Sequence, residues 1–339
     1  SYTMFAYRGS DVDGSDKTIV PEGITVYSTK TVEVKHETVI LEETATEIDL
    51  SFAREYIGDT VSLSYNGAVL GDGALSGGKL TVDLSGITER GELVFVAVTK
   101  KGTVTYCFEV NVLLATKIIR TAEDLNAIKI TQSNVDNNSS IYGYYVLGND
   151  IDLGWNTALG STLKYEGTVK IWEDKFGFRG TFDGRGHTIS KFCVNANGMF
   201  GHVGKDAVIK NVRFSELKYN GHEKGALFGG TVRGATIVDI TISDVEYVNY
   251  NGWNPYAQGF FGGRYLQEST LKNIKIDAST CDVYSLFGDE VSKNKYSDVE
   301  IKVKSYTMFA YRGSDVDGSD KTKVPDGVTV ITADTTTEA

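Results

Sequence analysis

The chain has 339 residues, long enough to bury a sizeable core and to expect two domains, and its net charge of −11 sets nucleic acid and anionic membranes aside as partners. Three Pro, 37 Gly and 19 Tyr point to a β-rich protein with many tight turns. No stretch approaches the ~20 apolar residues that span a bilayer, and the first residues lack a signal-peptide pattern, as expected of an internal repeat.

Residues 1–18, SYTMFAYRGSDVDGSDKT, return letter for letter as residues 305–322, a period of 304. The match continues at lower fidelity from Val20–Val26 to Val324–Val330. Such self-similarity predicts one unit of a tandem array, the device of extended surface proteins that gain reach and valency by repetition. Residues 1–30 then read as the duplicated end of a preceding repeat, and 331–339 as the start of the next.

From 31 to 116 the sequence alternates as short strands do. Examples are Thr31–Lys35, Thr60–Ser64, Lys79–Leu84 and Glu92–Val98, with turns at Asn66-Gly67, Gly71-Asp72-Gly73 and Lys101-Gly102. About seven strands of this length suit an immunoglobulin-like β-sandwich, whose ordinary role is a spacer. Thr121-Ala-Glu-Asp124 then resembles a capping box opening a helix over about 121–130. Cys107, Cys193 and Cys281 have no short spacing, Cys107 and Cys193 read as small buried hydrophobes, and the four His show no metal-ligand pattern.

From Phe200 a repeat of 22–33 residues sets in. Met199-Phe200-Gly201, Leu227-Phe228-Gly229, Phe260-Phe261-Gly262, Leu286-Phe287-Gly288 and Met308-Phe309-Ala310 each open a unit. Eleven or twelve residues after four of these Phe come Asn211, Asp239, Asn273 and Asp298, each inside an alternating strand. One rung per unit, Phe over Phe and Ile over Ile, predicts a parallel β-solenoid over 117–330. Its ends need covers, and the 121–130 helix and the Val324–Val330 segment are placed to supply them.

Tyr144–Leu153, then Phe178-Arg-Gly-Thr-Phe-Asp-Gly-Arg-Gly-His-Thr-Ile189, then the Phe-Gly and Ile-x-Asn-Ile rungs resemble bacterial surface proteins with GLUG-type repeats. The Thr121–Ile128 segment looks like the one that opens such domains. The resemblance covers about 117–310 and implies a right-handed parallel β-helix in a secreted, cell-wall-attached adhesin. Some repeat proteins of gut clostridia in this style bind immunoglobulin in a superantigen-like manner, so the resemblance makes immunoglobulin the sharpest protein partner. It says nothing of the 31–116 sandwich.

Three chemistries compete for the charged and aromatic residues. A polysaccharide-degrading solenoid enzyme needs a carboxylate pair on one face, and Asp150, Asp152, Asp183 and Asp239 are the candidates. Asp183 before Gly184, and Asp239 in line with Asn211, Asn273 and Asp298, read instead as turn-closing side chains, and Arg179 and Arg185 as their ionic partners. Asp315, Asp317 and Asp320, duplicated as Asp11, Asp13 and Asp16, offer closely spaced oxygens to calcium but depart from the EF-hand spacing; a solvated acidic turn is the other reading, and no other cofactor is implied.

Tyr247-Val-Asn-Tyr-Asn-Gly-Trp-Asn-Pro-Tyr256 falls in the longest unit, 33 residues from Phe228 to Phe261, and predicts a projecting loop. Tyr247, Tyr250, Asn251, Trp253, Asn254 and Tyr256 combine rigid aromatic area with adaptable hydrogen bonding, as binding loops do. Val248 and Tyr247 have packing on the flank as their alternative role. Tyr219 and His222 fall in the loop of the preceding unit, and the Trp172–Phe178 stretch reads as core or turn packing. The reading is an all-β chain acting as a non-enzymatic binding repeat, contacting a host protein or glycan as well as neighbouring repeats. A purely structural stalk and the polysaccharide-degrading enzyme are its competitors.

Overall fold

A computed structural model describes residues 22, 28–155, 176–194, 198–221, 225–252 and 255–333. The copy at 1–18, Trp172 through Lys175, Trp253, Asn254 and His222 lie outside the described residues. The chain is all-β with large parallel sheets: helix among the described residues is limited to Ala122–Asn126, Gln132–Asp136 and two single 3-10 turns. It divides into two compact units, 1–116 and 117–339.

In the first unit Gly91–Lys101 and Val104–Ala115 form a long hairpin closed at Gly102, where φ is 63°. Val61–Tyr65 and Ala68–Gly73 form a second, closed by Asn66-Gly67 at φ of 49° and 82°, the left-handed pair whose twist matches a two-residue turn. Gly71-Asp72-Gly73 is not a turn; its residues pair with Leu63, Ser62 and Val61 and complete the strand. Ser28–Thr31 and Val39–Glu42 both run parallel to Val104–Ala115. The strand expected at Thr31–Lys35 therefore ends at Thr31, and the chain leaves the sheet edge before rejoining it. A short antiparallel pair, Glu47–Asp49 with Lys79–Thr81, accompanies this sheet, and Leu63, Phe95, Phe108 and Val110 are buried in the core with Ile48 and Leu50.

The second unit is built of parallel strands in two sheets. Among the described residues one has six strands, from Ser140–Ile141 to Glu290–Ser292, and the other eleven, from Lys117–Ile119 to Val328–Thr332. The chain passes from one to the other in two residues, as between Gly229–Arg233 and Thr236–Ile242 or Gly262–Gln267 and Thr270–Ser285. Connections this short leave no room for a crossover helix.

Register follows the Phe repeat. Phe178, Phe200, Phe228, Phe261, Phe287 and Phe309 stack in sequence, with ring centroids 4.5, 6.3, 5.5, 5.9 and 4.8 Å apart. Phe178 extends the column one turn beyond the residues that reveal the repeat in sequence. The backbone follows suit: Phe200, Phe228 and Phe287 N–H groups donate to the carbonyls of Phe228, Phe261 and Phe309. Gly288 shows why glycine follows Phe, since its φ is 90° and a Cβ there would lie 2.4 Å from the Gly263 carbonyl oxygen.

The bends also repeat. Asn211, Asp239, Asn273 and Asp298 hold φ of 54°, 57°, 51° and 56°, and each sits between residues in strand register with the neighbouring turn. Asn and Asp enter this left-handed region more readily than other side chains, so the ladder read as turn capping is a set of corner residues. Their side chains also link: Asn273 Nδ2 donates to Asp239 Oδ1 at 2.6 Å. Two further columns, Lys191/Glu216/Asp244 and Gly234/Glu268/Lys293, bend the chain likewise at φ from 51° to 66°. Lys and Glu have no intrinsic ease there, and their exposed ion pairs add little, so paired strands on both sides impose the geometry.

At one end Thr121 and Asp124 form a reciprocal capping box, and Leu125 and Ile128 bury with Ile119. The helix stops at Asn126 instead of running to 130, and the Phe200 carbonyl takes the Ile130 N–H. A second capped turn, Gln132–Asp136, opens on Thr131. At the other end Val328–Thr332 pairs in parallel with Val299–Val303, and Val324 and Val330 pack on the core.

Candidate functional site

The excess length of the Phe228–Phe261 unit is concentrated between Val248 and Gln258. Two side chains tie this loop down. Buried Gln258 accepts from the Tyr250 N–H at 2.9 Å and donates to the Val248 carbonyl at 3.1 Å, closing the loop across its base. Asn249 donates to the Asp282 carbonyl and accepts from the Tyr284 N–H, joining the loop to the strand of the next turn. Asn251 is exposed, Tyr250 is half-buried, and Val248 is 47% exposed, against its alternative role in flank packing. Strand alternation explains that: Val245 turns inward, so Glu246 and Val248 turn out.

Tyr219, expected on the contact surface, belongs to the core, and Tyr247 packs against that core in its alternative role on the flank. Their rings stack at 4.8 Å, both meet Phe260 edge-on, and the Tyr219 hydroxyl donates to the Phe260 carbonyl. Burial pushes both phenols well above the ordinary tyrosine range. Tyr219 and Tyr247 are register partners in Val208–Asn220 and Val245–Val248, so the stack continues the ladder.

Tyr256 behaves differently. It leaves the loop on the single turn Pro255–Ala257 and lies flat on Tyr311, ring centroids 3.7 Å apart at 7°. Lys321 Nζ sits 3.9 Å from the Tyr311 ring centre. Tyr311 opens a polar cluster. Neighbouring Arg312 brings Nε within 3.2 Å of Asp289 Oδ1 and 3.5 Å of Glu290 Oε2, and Nη2 donates to Asp289 Oδ2. Gln267 Nε2 holds Glu290 Oε1 at 2.7 Å. Asp289 is buried, and its Oδ1 receives no aligned hydrogen bond despite the nearby guanidinium. Burial lifts its carboxyl above the usual range, Arg312 and Arg264 pull it back, and Glu290 adds to the rise. The Tyr256 hydroxyl feels the charges of both Asp289 and Arg312, so ring stack and ion cluster are one locale.

The other candidates are occupied by turns. Asp315 accepts from the Lys293 and Asn294 N–H groups, Asn294 Nδ2 and the Tyr296 hydroxyl, closing the preceding corner. Asp317 and Asp320 each accept from N–H and hydroxyl groups two residues on, which holds both below the usual carboxylate range. The fold thus does not bring the three together, and no cluster of three metal-ligating side chains occurs among the described residues. Asp183 is buried under Tyr144, Asn211 and the Arg185 N–H, with Lys210 at 3.4 Å. Asp150 accepts from the Thr188 N–H, and Asp152 caps the Gly154 N–H.

Sequence reasoning missed Asp289, Glu290, Tyr311, Arg312 and the anchors Asn249 and Gln258. A signal was present for two of them: Tyr311-Arg312 recurs as Tyr7-Arg8 inside the identical segment. No family model, curated protein or solved structure matches this chain.

Proposed function

We propose that the chain is a non-enzymatic, adhesin-type unit of a tandem array displayed on a bacterial cell wall, contacting a host protein or glycan. In this reading 31–116 is an immunoglobulin-like spacer and 117–330 a right-handed parallel β-helix. Parallel stacking in two sheets with a repeated Phe column and repeated left-handed corners supports the second; the antiparallel hairpins beside a small second sheet support the first. The observation that carries the binding role is the Val248–Gln258 loop. Its base is tied by Gln258 and Asn249 while Val248, Tyr250 and Asn251 remain accessible. A preformed loop binds with little ordering cost, and repetition every 304 residues multiplies a weak contact.

Immunoglobulin is the protein partner that the GLUG-type resemblance favours. The test is capture by the immobilised chain from serum immunoglobulins, mucins and a glycan array. Saturable capture of one class, lost on combined Tyr250→Ala and Asn251→Ala with an unchanged thermal transition, is the expected result. Silence across all three transfers the weight to a stalk, and polysaccharide cleavage that stops on Asp183→Asn or Asp239→Asn overturns the non-enzymatic reading.

A further inference from the structure

We infer that Tyr256, Tyr311, Arg312, Asp289 and Glu290 form a subsite for a single pyranose ring, an assignment that rests on the binding reading above and gives it a ligand class. The stack has three layers, Lys321 on Tyr311 on Tyr256, so Tyr311 is covered on both faces while Tyr256 has a ring partner on one face only among the described residues. A flat, π-rich surface with polar groups at its rim suits a ring that has an apolar C–H face and hydroxyl edges.

The rim supplies both kinds of hydrogen-bonding group in fixed positions. Arg312 is half-exposed, and its Nε and Nη2 are engaged by Asp289 and Glu290. Its Nη1 takes no part in those contacts and remains a charged donor. Glu290 keeps acceptor capacity beyond the bonds from Gln267 and Arg312. Asp289 is a positioning residue: too buried to meet a ligand, it fixes the plane of the guanidinium.

The duplication is an independent observation. Tyr311, Arg312 and Lys321 lie in the eighteen residues that recur unchanged, while the copies diverge immediately afterwards at Ile19 and Lys323. The contributions of this segment to the subsite are thus repeated along the array, which is what avidity for a repeating glycan requires.

The test is saturation-transfer NMR on the full chain with methyl pyranosides of galactose, glucose and mannose, and with N-acetylneuraminic acid. Transfer to the ring C–H protons of at least one of these sugars is expected. Tyr256→Ala should abolish it, and Arg312→Gln, at an exposed position, should weaken it about tenfold or more, the scale of a lost charged hydrogen bond. Transfer that survives Tyr256→Ala in a folded variant, or no transfer from any sugar, overturns the subsite. Protein capture through Tyr250 and Asn251 that persists in that second case leaves the binding reading intact; loss of both removes both.

Discussion

Tyr219–Tyr247 and Tyr256–Tyr311 are both stacked tyrosine pairs within the second unit, yet one is sealed and the other is not. The first joins strand residues in register and continues the ladder; its phenols meet Phe260 and lose water. The second joins a loop turn to the last rung, outside the repeat, and ends in an ammonium and a carboxylate–guanidinium cluster. Aromatic content therefore does not mark an accessible ring; departure from the period does.

The strongest way to break this contrast is Tyr219→Ala. Removing a fully buried ring should cost about 3–5 kcal/mol, read by chemical denaturation, and should change binding only through unfolding. A loss below about 1 kcal/mol would place Tyr219 with Tyr256 among the surface pairs. Next in size is His202, buried near Arg179, Arg233 and the Phe176 ring with its Nδ1 unbonded. Burial, helped by the two arginines, holds its pKa down to about 4. A depressed base contributes stability fully above its unfolded pKa, near 6.5, and loses it as pH falls toward 4. The loss should approach roughly 3 kcal/mol, and His202→Gln should make the acid limb of a stability–pH curve shallower.

The periodic part of the fold was legible because each rung repeats the same solution. Phe200 through Phe309 and the Asn211–Asp298 column could be read from spacing, since residues that stack must recur. The left-handed backbone of that column was not legible, because Asn and Asp serve equally in caps and corners, and in the neighbouring column Glu268 and Lys293 do not advertise it at all. Tyr219 was misplaced because the side of a strand that faces inward depends on corners invisible in sequence. Arg312 and Asp289 come together only when the last rung stacks on the one before, and nothing local in either segment announces it.

A smaller effect sharpens the comparison from the side of the scaffold. Asn273→Ala and Asn273→Gly both delete the bond to Asp239, so their difference isolates the φ of 51°. Alanine should be less stable than glycine by about 1 kcal/mol in denaturant titrations. Equal stabilities would mean that strand pairing, not the corner residue, sets the bend.

The smallest stability change, and the most telling for function, belongs to Asp289→Asn. The native fold raises the Asp289 pKa, so between the unfolded and folded values the native state binds the extra proton and stability falls as pH rises through that window. At neutral pH the ionised carboxylate is thus held at a net cost that burial imposes and Arg312 only partly offsets. Replacing it with Asn removes the buried charge and releases an arginine that is half in water, so no buried ion is left alone. The variant should match or exceed the parent in stability, within about 1 kcal/mol, with any gain vanishing at low pH where both are neutral. Its sugar-induced saturation transfer should nonetheless fall, because Arg312 loses the partner that orients it. A side chain that weakens the fold while strengthening a contact is explained by the contact; a variant that lost stability and kept binding would return Asp289 to the scaffold.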